Sequence, residues 1–160
     1  MTITTKLSAS DYTRASIAIL SRKLSLRIVL ALYLFVLLFN LFSSLAKEDS
    51  NPFDQVPLLG AFVVFAIIIY YSVKKAYSSN KRISETITYH FKKDTYTVTG
   101  ESFTSELTWD KVQKVTITKN WLLLWQTRST ANAIPRRDID NDTLSNLKMI
   151  LAKHKVKNNL

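Results

Sequence analysis

The chain has 160 residues, of which 22 are basic and 12 acidic for a formal charge of +10, and 47% are apolar. It contains no cysteine, which excludes disulfides, a thiolate nucleophile and cysteine-ligated metal. With two glycines it has no phosphate-cradling glycine loop, and the charge alone makes nucleic acid a weak expectation beside an anionic membrane surface.

In chain order, residues 10–25 read SDYTRASIAILSRKLS. Ser10 or Asp11 can cap a helix, and Ile17, Leu20 and Leu24 recur at helical spacing. This predicts a short amphipathic helix within an N-terminal segment, residues 1–27. It either lies on the inner leaflet surface or extends the helix that follows. Next come two uncharged runs of 18 residues, Ile28 to Leu45 and Val56 to Val73. At about 1.5 Å per residue each nearly crosses a hydrocarbon core of about 30 Å. Neither shows the polar stripe of a soluble helix. The expected element is a transmembrane hairpin over residues 28–73, with a short extracytoplasmic loop at 46–55.

The loop carries Lys47 against Glu48, Asp49 and Asp54, whereas Arg22, Lys23 and Arg27 precede the hairpin and Lys74, Lys75, Lys81 and Arg82 follow it. The positive-inside rule then puts both termini in the cytoplasm. Ser44-Leu45-Ala46 resembles a signal-cleavage site, but about 27 residues precede the apolar core, too many for a signal peptide.

From Ile83 the period becomes two. Candidate strands are 83–91, with Ile83, Ile87, Tyr89 and Phe91 on one face, and 95–100, with Tyr96 and Val98. Others are 102–109, with Phe103, Leu107 and Trp109, then 114–118, then 121–126, and a short strand at Ala133-Ile134 stopped by Pro135. Regular spacing argues for an antiparallel meander. A helix capped by Asp140 or Asp142, with Leu144, Leu147, Ile150 and Leu151 as its stripe, would cover the sheet. The expected class is therefore an α+β membrane protein: a two-helix hairpin, then an antiparallel β-domain over residues 83–160 with a C-terminal helix.

Several short motifs resemble the YcxB-like family of small bacterial membrane proteins. They include Asp11-Tyr12, the double span and Ile87-Thr88-Tyr89-His90-Phe91. They also include Leu107-Thr108-Trp109-Asp110-Lys111-Val112 and Ala133-Ile134-Pro135-Arg136-Arg137. The most distinctive feature is the order: a Trp-x-x-Val segment, two apolar strands, an Ile-Pro-basic step, then a helix. The resemblance implies a pleckstrin-homology-like (PH-like) sheet-and-helix domain and residence in the bacterial cytoplasmic (inner) membrane. It implies no established activity.

No constellation of catalytic, cofactor-binding or metal-ligating residues emerges, so a non-enzymatic role without a cofactor is expected. His90 alternates outward in a strand, and His154 ends a lysine-rich helix. What remains is charge: residues 74–160 carry 16 basic and eight acidic side chains. Arg22, Lys23, Arg27, Lys74, Lys75, Lys81 and Arg82 are candidate contacts to anionic lipid headgroups. Arg136 and Arg137 are candidate contacts to a protein partner. Trp121 and Trp125, four apart on one strand face, are either a packing pair or an exposed patch that touches the membrane or a partner. The functional expectation is a membrane-tethered regulatory or interaction module. The alternative is an immunity protein that meets a membrane-active toxin through its spans or acidic loop. Self-assembly into a homo-oligomer is open.

Overall fold

The computed structural model describes residues 1–45 and 56–160, so the predicted 46–55 loop lies outside the described residues. The chain opens with a strand the sequence reading did not anticipate, β1 (Thr2–Lys6). Helix α1 (Ala9–Leu20) follows, starting earlier than expected because Ser8 is its N-cap. Ser8 Oγ accepts the Asp11 amide at 3.1 Å while the Asp11 carboxylate accepts the Ser8 amide at 3.3 Å, a reciprocal capping box.

Helices α2 (Leu24–Leu45) and α3 (Val56–Ser79) are the two apolar runs. Each is longer than its uncharged stretch. Their 22 and 24 residues correspond to about 33 and 36 Å. Both are long and apolar enough to cross a membrane. They are not the core of a soluble fold: of their most apolar windows, 0% and 6% is buried. Between them Tyr33 stacks on Phe62 at 5.2 Å, and its hydroxyl donates to the Leu58 carbonyl at 2.7 Å. Asn40, which could have bridged the two helices, instead donates to Val36 O in its own helix at 2.8 Å.

A single turn, α4 (Lys81–Ser84), capped by Asn80, takes the place of the expected start of the first domain strand. That strand, β2, runs Thr86–Phe91. Then come β3 (Thr95–Thr99), β4 (Thr104–Thr108), β5 (Lys114–Ile117), β6 (Trp121–Trp125), β7 (Ala131–Pro135), α5 (Asn141–Lys153) and a two-residue β8 (Lys157–Asn158). Asp140, not Asp142, caps α5 by accepting the Thr143 amide and, at 2.8 Å, its hydroxyl.

The strands do not form one meander. They make two four-stranded sheets, ordered β1-β2-β3-β4 and β7-β6-β5-β8. All pairings are antiparallel except β5 with β8. The break falls at a 3-10 turn, Trp109–Lys111, closed by Val112 N–H to Trp109 O at 3.1 Å. This explains the Trp-x-x-Val spacing. The turn drops both Trp109 and Val112 into the core at 0% and 5% exposure, and the chain leaves it in a new direction.

The main core lies between the sheets and under α5. Tyr89, Phe91, Tyr96 and Val98 come from the first sheet, and Val115, Leu122, Leu124 and Ile134 from the second. Leu147 and Leu151 come from the helix. Strand β6 is apolar on both faces because both are covered. Leu122 and Leu124 point into this core, while Trp121, Leu123 and Trp125 point the other way, onto Ala15, Ala18 and Ile19 of α1.

The domain is therefore larger than residues 83–160. Strand β1 is hydrogen-bonded along β2, Thr2 opposite His90 through Lys6 opposite Thr86, and places Ile3 in the main core. The N-terminal helix neither simply extends α2 nor stands free. It roofs the outer face of the second sheet through small residues, Ala15 being 3% exposed and Ile17 half exposed. In effect the hairpin is inserted between two parts of one folded unit.

Candidate functional site: the N-terminal clasp and the basic cleft

The Ile-Pro-basic step is where the two parts of the domain are fastened. Pro135 ends β7, and residues Arg136–Asp138 form a 3-10 turn. The Arg137 guanidinium donates to both Asp11 carboxylate oxygens, Nη1 at 3.1 Å and Nη2 at 2.8 Å, a two-point pair with fixed geometry. Next to it, Asp138 accepts the hydroxyl of the buried Thr5 at 2.6 Å. One turn thus holds both N-terminal elements, α1 through Asp11 and β1 through Thr5.

The Arg137 hydrogen bonds, aided by Ser8, hold the Asp11 carboxyl well below the usual carboxylate range. A depressed folded-state pKa stabilises the fold fully above the unfolded value, near 4 for Asp. That contribution fades as the pH falls below it. Wild type should therefore melt above the Asp11→Asn variant at neutral pH. The gap in midpoint should narrow progressively once the pH drops below about 4. Thermal unfolding followed by circular dichroism at several pH values checks this.

Arg136 points elsewhere: its guanidinium donates to Ile139 O and, at 2.9 Å, to Asn141 Oδ1. Its amide donates to Asn120 O at 2.9 Å, fixing the β5–β6 turn against this step. Between the turn, the step and α1 lies a cleft of about 380 Å³. Arg14, Lys119, Arg136 and Arg137 line it with Asp11, Asn120, Trp121 and Pro135. Arg136 and Arg137 therefore share one site, and Trp121 forms part of its wall. Trp121 and Trp125 are 6% and 1% exposed. They form the floor beneath α1, so a partner reaching that face would first have to displace the helix.

The seven cations flanking the spans do not line that cleft; they lie in the α1–α2 connection, at the start of α2, at the end of α3 and in α4. Arg22 and Lys23 lie in the turn between α1 and α2, and Arg27 Nε donates back to Ser21 O at 3.0 Å. Lys74 and Lys75 are in the last turns of α3, and Lys81 and Arg82 in α4. Arg82 stacks over Phe103 at 5.6 Å. Tyr12 meets Tyr77 at 5.8 Å, and Tyr77 donates to Leu7 O at 3.1 Å. The β6–β7 connection joins this group: Ser129 and Thr130 line one hollow with Lys23, Ser72 and Val73. Arg128, next to Ser129 in the chain, therefore lies on the Lys23 side of the domain, which only the direction of β6 reveals. The two histidines sit at the far end of β2. His90 Nδ1 is 2.9 Å from Thr2 Oγ1, and His154 Nε2 is 2.8 Å from Lys93 O.

Two apolar helices of membrane-crossing length, attached to an α+β domain that closes around the segment preceding them, are the mark of a hairpin-anchored membrane protein. Residues 91–150 match the family model described as YcxB-like protein. The matched stretch contains the Trp109–Val112 turn and the Ile134-Pro135-Arg136-Arg137 step, which bears out the resemblance over those residues. The hairpin and Asp11-Tyr12 lie outside it. No curated protein and no solved structure matches the chain significantly.

Proposed function

We propose that the protein is a non-enzymatic binding module held on the cytoplasmic face of a bacterial inner membrane, with the hairpin spanning the bilayer and both termini inside. The observation that carries this reading is the insertion of the hairpin within the domain. Both span ends leave the same folded unit, so the domain is tied to the membrane at two points instead of swinging on one tether. Lys23, Arg27, Lys74, Lys75, Lys81 and Arg82 flank those two points. Each basic residue near an anionic leaflet is worth about 1 kcal/mol, so together they favour the inner face strongly. The order of two sheets closed by one terminal helix supports a PH-like layout, a framework for binding.

Because the natural chain lacks cysteine, single-cysteine labelling tests this directly. In intact spheroplasts a membrane-impermeant maleimide should label Ser50→Cys at once and Ser129→Cys only after permeabilisation. Labelling of Ser129→Cys in intact cells, with Ser50→Cys protected, would reverse the orientation and end the reading.

A further inference from the structure

The domain has two separate apolar cores, and a hollow of about 220 Å³ is lined from the edges of both. Ile87 and Phe103 come from the main core, and Leu7 and Ile19 from the smaller core beneath α1. Ile83 of α4 lines the hollow as well and packs against neither core. All five side chains are half-buried, so each still offers apolar surface. Arg82 is the only charged residue in the lining among the described residues, and its guanidinium lies 5.6 Å from the Phe103 ring centroid. No described carboxylate pairs with Arg82. Glu85, three positions on, is taken by the Ser102 amide at 2.9 Å and hydroxyl at 2.6 Å. A second hollow shares Tyr12, Ser16, Ile19 and Ala131 with the first and continues to Val73 and Ala76 of α3. Val73 closes the uncharged run of α3, and Lys74 and Lys75 follow it. The two hollows thus adjoin along α1, from Arg82 to the level where α3 leaves its apolar stretch.

We propose that this path holds a single-chain anionic lipid drawn from the adjoining bilayer, with its head on Arg82 and its chain lying past Ser16 and Ile19 toward Val73. The planar fork of arginine suits a carboxylate or phosphate head. Each methylene kept on the apolar lining and out of water is favoured about fourfold, so a chain whose head sits on Arg82 stays shielded back to the span. At about 30 Å³ per water-sized group, the first hollow takes about seven such groups. That is room for part of one chain and too little for two. A solute from the aqueous phase is the poorer occupant, because the path opens beside the end of α3. The inference deepens the binding role proposed above. It rests on the hairpin crossing a bilayer, not on which side the domain faces.

The test uses the full chain in phosphatidylcholine nanodiscs with palmitic acid carrying a mid-chain diazirine. After irradiation, mass spectrometry maps the labelled peptides. Labels should fall on residues 12–19 and 131–133 as well as on the spans. Ser16→Phe, which fills the stretch common to both hollows, should remove the domain labels and keep those on the spans. Arg82→Gln should lower domain labelling about tenfold, the effect of losing a hydrogen bond to a charged group. Lys148→Gln, an equal change of charge on the exposed face of α5, should leave it unchanged. The corresponding fatty alcohol should label the domain about tenfold less than the acid. Arg82 is exposed, so its variant decides the matter should Ser16→Phe lower the melting temperature. Labels confined to the spans, or domain labelling indifferent to Arg82→Gln, would overturn the proposal and leave the orientation reading standing. Equal domain labelling by a two-chain phosphatidic acid carrying the same group would overturn the single-chain assignment. Domain labelling together with an outward-facing Ser129→Cys would uphold the lipid site and reject only the cytoplasmic reading.

Discussion

Residues 83–160 produced without residues 1–20 should lack a cooperative unfolding transition and aggregate. Removing the N-terminal segment uncovers Trp121, Leu123 and Trp125, which α1 roofs. It also takes Ile3 out of the main core and leaves β2 an open edge in place of its pairing with β1. A large aromatic buries about 150–250 Å². At about 25 cal/mol per Å², half re-exposure of the two tryptophans costs about 4–6 kcal/mol. A domain's whole stability is about 5–15 kcal/mol, so this loss, with the lost strand and the lost Thr5–Asp138 hydrogen bond, removes most of it. An open strand edge beside an apolar face also invites self-association. Joining residues 1–20 to residues 80–160 through a Gly/Ser linker, with the hairpin left out, should restore a sharp transition. Chemical denaturation of both chains, followed by tryptophan fluorescence, separates the outcomes.

The second large effect is expected at Trp125. Its side chain is 1% exposed, its indole N–H donates to Thr116 Oγ1 at 2.9 Å, and the Lys114 ammonium lies 4.8 Å from the ring centroid. Above it sits Ala15, too small to fill the space a truncated tryptophan would leave. Trp125→Ala should cost about 3–5 kcal/mol, the range for large aromatic truncations in a core. Lys114→Ala should cost only about 0.5–1 kcal/mol, the worth of an accessible cation–π contact. The contrast matters, because a tryptophan serving mainly as a partner surface would tolerate truncation with little loss. Urea denaturation of the hairpin-free fusion measures both.

The spans, the C-terminal helix and most strands were legible in the sequence because each follows a strong local rule. An uncharged run of membrane length, a period of two, or a cap followed by a helical stripe needs no knowledge of the rest of the chain. β1 carries a weaker local signal. Thr2-Ile3-Thr4-Thr5 is β-branched with alternating burial, but at five residues it has no turn and no partner strand nearby. Its partner is more than 80 residues away, across the hairpin. The division into two sheets was hidden for a related reason. Regular spacing predicts strands but not which neighbours they keep, and the 3-10 turn at Trp109 redirects the chain without breaking the spacing.

The expected amphipathic stripe of α1 was misplaced because its packing face is built of alanines. Ile17, the residue hydrophobicity favours, is half exposed, while Ala15 is buried because the bulk in that contact comes from Trp121 and Trp125. Arg136 and Arg137 were recognised as a pair, yet they do different things. One braces the start of α5, and the other holds Asp11, which is 126 residues away. Sequence spacing gives no access to a contact of that range. Arg14 and Lys119, 105 positions apart, likewise come to line one cleft only when α1 docks on the second sheet.

The account turns on the hairpin being inserted in one domain completed from both sides, and a disulfide placed between β1 and β2 tests it most directly. Thr4 and Thr88 face each other with their hydroxyl oxygens 3.3 Å apart, close enough for a disulfide after substitution. Thr5 points to the opposite face of the sheet. With a protease site placed in residues 46–55, a Thr4→Cys/Thr88→Cys protein oxidised in native membranes and then cut should run as one species until reduced. A Thr5→Cys/Thr88→Cys protein should separate into two without reduction. Equal separation of both after cutting would contradict the insertion, and equal linkage of both would contradict the register.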